Sequence, residues 1–110
     1  MNIVISYFDP FDGKTINNSE VFAKLLKEDL AEQNVNVELC ELRTVFDKAY
    51  DSLQDCIKSQ SIAPDMVISL GESGCKKVTL ETRGINLDKS IGPDNDGIHR
   101  DRTPVIPGAS

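Results

Sequence analysis

This sequence lacks tryptophan altogether, has few rings of any kind and carries fewer basic than acidic residues, and each shortage excludes something. Twelve Lys and Arg stand against eighteen Asp and Glu, for a formal net charge of −6. Nucleic acids select basic patches, so this balance argues against a nucleic-acid partner. It argues equally against anionic membrane surfaces, which attract Lys and Arg. Long hydrophobic runs are missing as well: none approaches the roughly 20 residues of a membrane-spanning helix. Met1 leads straight into an apolar stretch without a basic leader, so no signal peptide is expected. Cysteine is scarce and odd in number, at Cys40, Cys56 and Cys75, with no C-x-x-C spacing. That count disfavours both a disulfide framework and a zinc site. Three reduced thiols in a cytoplasmic protein are the expectation.

What is present is ordered in groups. Hydrophobic residues make up 39% of 110 residues, enough for one small domain. Asn2–Tyr7 (NIVISY) reads as a short buried strand that stops at the Pro and Gly of Phe8–Gly13. Asn18 or Ser19 is expected to cap a helix with Glu20 in its first turn. Val21, Phe22, Leu25, Leu26 and Leu30 then recur at helical spacing and define its expected buried stripe. Asn36–Leu42 (NVELCEL) returns to period two, a second strand. Phe46, Ala49, Tyr50, Leu53, Cys56 and Ile57 form another helical stripe, and Met66–Leu70 a third strand. The order β-α-β-α-β predicts an α/β fold with a parallel sheet covered by helices. Val78–Leu80 and Arg83–Leu87 are candidates for further strands, while the composition after Asp88 turns to Gly, Pro, Asp and Asn.

Ligands in open α/β sheets bind at the carboxyl ends of strands, which draws attention to two loops. Phe8 and Phe11 place two of the four phenylalanines on the first. Their rings either line a small apolar pocket or pack inward as core. Gly71-Glu72-Ser73-Gly74 follows the third strand and reads as a tight polar turn able to present backbone N–H groups to an anion. It lacks the spacing of a nucleotide-binding glycine loop. Glu81 lies in a strand-like run downstream; such a carboxylate either orients a histidine or acts as a base, or is a solvated surface group. Cys75 sits beside Lys76 and Lys77, whose charges favour a thiolate. His99, the sole histidine, falls in a polar segment expected to be mobile and solvated, which disfavours a Cys75–His99 pair. Cys40 and Cys56 read as small core residues.

In order and spacing these segments resemble one family. Tyr7–Gly13 with Ile16-Asn17-Asn18-Ser19 is similar to its G-F-E-P-F-G-G and I-N-P-S, and Leu42–Phe46 to its L-P-T-V-F. Pro64–Gly71 is similar to P-D-x-V-I-x-x-G, Gly71–Gly74 to G-Q-A-G, Thr79–Asn86 to T-P-E-R-V-A-I-N and Pro93–Gly97 to P-D-N-x-G. The family is pyroglutamyl peptidase I, cysteine peptidases that remove N-terminal pyroglutamate. The resemblance implies a three-layer α/β/α, phosphorylase/hydrolase-like fold with a mostly parallel central sheet. It also implies a cytoplasmic enzyme acting on peptides with N-terminal pyroglutamate, without metal or organic cofactor, in a family whose members often assemble as homo-tetramers.

Residue by residue, the resemblance makes Glu81 the acidic member of a Cys-His-Glu triad. Phe8 and Phe11 would sandwich the flat lactam, Asn17 and Thr44 would support that pocket, and Gly71 and Glu72 would flank it. The family's nucleophilic Cys and its His lie in the other half of its pattern, and Cys75 and His99 align with neither. The chain is thus expected to be the N-terminal half of a domain of roughly 200 residues. It is expected to supply the lactam pocket and the acidic triad member of a peptidase or, alternatively, to be a catalytically inactive remnant or binding module of the same fold. Glu72 replaces the Gln of the glycine segment and sets a charge beside the slot; Thr82 replaces a basic residue and Arg83 an apolar one.

Overall fold

The computed structural model describes residues 1–74, 77–90 and 92–109. Five elements follow one another: β1 (Asn2–Phe8), α1 (Asn18–Glu32), β2 (Asn36–Leu42), α2 (Lys48–Lys58) and β3 (Met66–Ser69). They build a parallel sheet in the order β2-β1-β3. Ile3 and Ile5 pair with Val37 and Leu39 on one side and with Met66 and Ile68 on the other. As the central strand, β1 is covered on both faces, which is why its sequence is a continuous apolar run rather than an alternation. Ile3, Ile5, Tyr7 and Val37 face α1 and its Ala23, Leu26 and Leu30. Val4, Cys40 and Leu42 face the other way, onto Ala49, Leu53, Cys56 and Ile57 of α2. The helices therefore lie on opposite faces, the three-layer α/β/α arrangement expected.

Several local expectations are corrected. Asn17, not Asn18 or Ser19, caps α1: its backbone is extended and its side chain accepts the Ser19 amide. Only part of the α1 stripe is buried. Ser19, Ala23, Leu26 and Leu30 form one line facing the sheet, leaving Val21, Phe22 and Leu25 on the open side. Tyr50 of α2 is likewise exposed. The C-terminus of α1 closes with Asn34 at φ 61, the amides of Asn34 and Val35 reaching back to Ala31 and Leu30. Neither Val78–Leu80 nor Arg83–Leu87 forms a strand; among the described residues of the tail the only pairing is an isolated bridge between Asp88 and Thr103. Val78 and Leu80 are 83% and 90% exposed, so these segments lack the neighbouring strand and covering layer that extended apolar sequence needs.

The expectation of three reduced thiols is overturned for two of them. Cys40 on β2 and Cys56 on α2 form a disulfide, with their Cα atoms 6.1 Å apart. The core reading holds for Cys40, while Cys56 is half-buried against that cluster: the helix packs its apolar face on the strand that carries Cys40, which brings the two Cβ atoms within bonding reach. Cys75 lies outside the described residues.

Candidate functional site

From β1 the chain crosses over α1 to β2, then returns over α2 past β1 to β3. Connections leaving in opposite directions open a crevice beyond the carboxyl ends of β1 and β3, the usual ligand position in such sheets. The loops that leave these two strands, 9–17 and 70–74, are the ones singled out in the sequence, and the fold sets them side by side.

The first loop is held by Asp9. Its amide extends the β1–β2 ladder to the Leu42 carbonyl at 2.9 Å. Its own carbonyl accepts from the Asn17 side chain (3.1 Å) and the Thr44 hydroxyl (3.1 Å). Its carboxylate accepts the Thr44 amide at 2.7 Å and the Asn95 side chain at 3.2 Å. Asn17 is 1% exposed and satisfied throughout, since its Oδ1 takes both the amide and the hydroxyl of Ser19. Beyond Pro10 the chain turns at Asp12 and Gly13, both left-handed (φ 55 and 71), with the Lys14 amide closing on the Phe11 carbonyl at 3.1 Å. That is the Asp-Gly turn chemistry legible in the sequence.

Phe8 packs partly against the cluster of Val4, Cys40 and Leu42, so half of the core alternative holds for it. Phe11 sits on the loop itself, with the Lys14 ammonium 5.6 Å from its ring centre. The second loop joins through Glu72. One carboxylate oxygen meets the Lys14 ammonium at 2.6 Å and the other accepts the Asn18 amide at 2.7 Å, in the first turn of α1. The hydrogen bond from Lys14, and then that from the Asn18 amide, hold its carboxyl below the usual range. The charge expected beside the slot is therefore neutralised by a lysine and a helix N-terminus rather than left facing a ligand. Residues 71–73 form no regular structure and Gly74 lies at a bend, instead of the tight turn expected. A Cβ at Gly71 would meet nothing within 4 Å, so the space beside it is open.

Phe8, Phe11, Asn17, Thr44, Gly71 and Glu72 thus lie at the carboxyl ends of the three strands and at the start of α1, with Asn17 and Thr44 joined through Asp9 and Glu72 joined to Lys14 and Asn18. Glu81 lies apart from these contacts, exposed on a stretch without regular structure, and makes no hydrogen bond or ion pair among the described residues. His99 is exposed too. No group of three His, Cys, Asp or Glu side chains among the described residues is placed to hold a metal.

The segment expected to be mobile is instead tied to the site. Asp94 accepts the Phe46 amide at 2.8 Å through one oxygen and the amides of Asp96 and Ile98 through the other. Asp96 meets Arg43 at 3.1 Å and Lys48 at 2.8 Å. Arg100 bridges Asp47 and Asp88 and stacks on Phe46 with 4.8 Å to the ring centre. Asp9, Asp94, Asn95 and Arg100 were not picked out as site residues. Asp9 lies within the Tyr7–Gly13 match and Asp94 and Asn95 within the Pro93–Gly97 match, but their partners are not visible from spacing, and no motif marks Arg100.

The family model described as pyroglutamyl peptidase matches residues 1–110. Pyrrolidone-carboxylate peptidase of Streptomyces coelicolor is 36% identical over 106 residues, covering 96% of this chain and 48% of that one. Its counterpart in Treponema denticola is 34% identical over 107 residues with the same two shares. Among solved structures, pyroglutamyl peptidase I from Bacillus amyloliquefaciens superposes with a TM-score of 0.87 at 31% identity, over 99% of this chain and 51% of that one. A mutant pyrrolidone carboxyl peptidase from P. furiosus gives 0.82 at 30%, over 100% and 52%. The chain spans about half the length of the relatives it matches.

Proposed function

Because the chain belongs to the pyroglutamyl peptidase family, we propose that it supplies the lactam-binding part of a cysteine peptidase that removes N-terminal pyroglutamate. The observation that carries this reading is the loop Phe8–Gly13, fixed by Asp9 at the crevice between β1 and β3. Small neutral lactams call for an apolar slot with a few fixed polar contacts. Phe8 and Phe11 form the slot, Asn17 and Thr44 brace it through Asp9, and Gly71 and Glu72 border its open side. Glu81 is the orienting acid of the triad. In such chemistry a thiolate attacks the amide carbon, the C–N bond breaks, and a histidine returns its proton to the departing amine before water releases the acyl group.

The proposal keeps the cytoplasm as its location, where thiols are normally reduced, so Cys40–Cys56 would be a protected pair there, with Cys40 2% exposed. It also keeps the homo-oligomer, supported by the open apolar side of α1 at Val21, Phe22 and Leu25. Among the described residues no helix is long and apolar enough to cross a membrane.

The test joins this chain to the unmatched remainder of the Bacillus protein. Thiol-sensitive release of a fluorophore from its pyroglutamyl amide is expected from the hybrid, lost in Glu81→Ala, and absent from the 110-residue chain alone. Turnover by the chain alone would overturn the assignment of roles. Lactam binding by the hybrid without turnover would favour an inactive binding module.

A further inference from the structure

Asn95 is far from the ring-bearing loop in sequence and touches it at two points. Its side-chain nitrogen donates to the Pro10 carbonyl at 2.9 Å and to the Asp9 carboxylate at 3.2 Å. Its backbone amide donates to the Thr44 carbonyl at 2.9 Å. One residue therefore spans the loop after β1 and the loop after β2. Its own position is set independently. Asp94 holds the turn by taking the amides of Phe46, Asp96 and Ile98, and Gly97 permits it at φ 81. Asp96 and Arg100 then fasten the same segment to Arg43, Lys48 and Asp47 around the start of α2.

We propose that Asn95 is a positioning residue for the ring-binding loop, its carboxamide bolting Asp9 and Pro10 so that Phe8 and Phe11 stay in place for a lactam. The inference rests on the lactam-binding reading of that loop. A carboxamide suits the task because it offers two N–H donors to the two oxygens that Asp9 and Pro10 present. An aspartate of the same shape offers none at neutral pH and would set its carboxylate against that of Asp9. Asn95 is exposed, so its loss leaves the buried core intact.

The test uses the 110-residue chain labelled with nitrogen-15, with Asn95→Ala and Asn95→Asp as variants and 2-pyrrolidone as the probe. Removing these two hydrogen bonds, one to a carbonyl and one to a carboxylate, should speed amide exchange at Asp9 and Thr44 about tenfold and weaken 2-pyrrolidone by a similar factor. Exchange at Ile5 in β1 should stay unchanged. Asn95→Asp should be at least as impaired as Asn95→Ala, whereas a side chain that merely fills space would be rescued by its isostere. Unchanged exchange at Asp9 and Thr44, rescue by Asn95→Asp, or loosening that extends to Ile5 would each overturn the proposal. If the unsubstituted chain fails to bind 2-pyrrolidone, the lactam reading falls, while the exchange pattern still decides whether Asn95 is the bolt.

Discussion

Residues 2–70 are held by different forces from residues 77–90 and 92–109. The first region contains all the helices and strands among the described residues, and the buried apolar side chains run from Ile3 to Val45. The second contributes none of them; Val78, Leu80, Ile85 and Ile106 stand exposed. Its order comes from hydrogen bonds and ion pairs: Asp94 to the Phe46 amide, Asn95 to Asp9 and Pro10, Asp96 to Arg43 and Lys48, Arg100 to Asp47 and Asp88. Burial of apolar surface tolerates acid and salt, whereas exposed charge pairs are weak singly and screened by ions. The ring-bearing loop sits where the two regions meet and depends on both.

The largest effect should come from the frame. Ile5 is fully buried beneath α1, and Ile5→Ala should cost about 3 kcal/mol in urea unfolding, with tail and sheet lost together. A tail that stayed docked while the sheet melted would break the comparison, because it would mean the second region orders itself. Reducing Cys40–Cys56, whose 16-residue separation closes a short loop, should remove a comparable but smaller amount, about 2–3 kcal/mol, read as a lower melting temperature in thiol. An unchanged midpoint would show that α2 is held by packing alone.

Acid should separate the regions. Lys48 first, and then Arg43, hold the Asp96 carboxyl below its usual range; the hydrogen bond from Arg100 does so for Asp47. For Asp94, desolvation is the largest influence and opposes ionisation, but the amides of Phe46, Ile98 and Asp96 together outweigh it. A carboxyl lowered on folding contributes stability that is complete above its ordinary value near 4 and is lost as pH falls through the folded value. Amide protection at Phe46 and Ile98 should therefore fade below about pH 4, before that of Ile5. Simultaneous loss would contradict the division. The smallest effect is expected at Glu81, which has no partner among the described residues: Glu81→Gln should leave stability within about 0.5 kcal/mol of the unsubstituted chain while abolishing turnover in the hybrid.

Much of the frame was legible because its signals are local. The apolar run of β1, the period of β2 and the helical spacing of Leu26 and Leu30 each follow from how a strand or helix meets a sheet. The Asp12-Gly13 turn was legible too, since left-handed backbone selects those residues. The shift of one or two residues at the α1 cap, and the assignment of Val21, Phe22 and Leu25 to its buried face, have a different origin. Neighbouring polar residues all make good caps, and an apolar helix surface wider than one stripe does not say which part the sheet will cover. Strands expected at Val78–Leu80 and Arg83–Leu87 failed because propensity cannot supply a partner.

The sequence by itself determined the α/β order, the parallel sheet, and the placing of two loops at strand ends where a small ligand would sit. Tertiary structure alone decided that Asp9 anchors one loop, that Asn95 reaches it across 85 residues, and that Cys40 meets Cys56. The physical reason is range. Periodicity and turn chemistry are properties of a few consecutive residues, but a side-chain donor finds a distant carbonyl only after the sheet has fixed where each loop emerges.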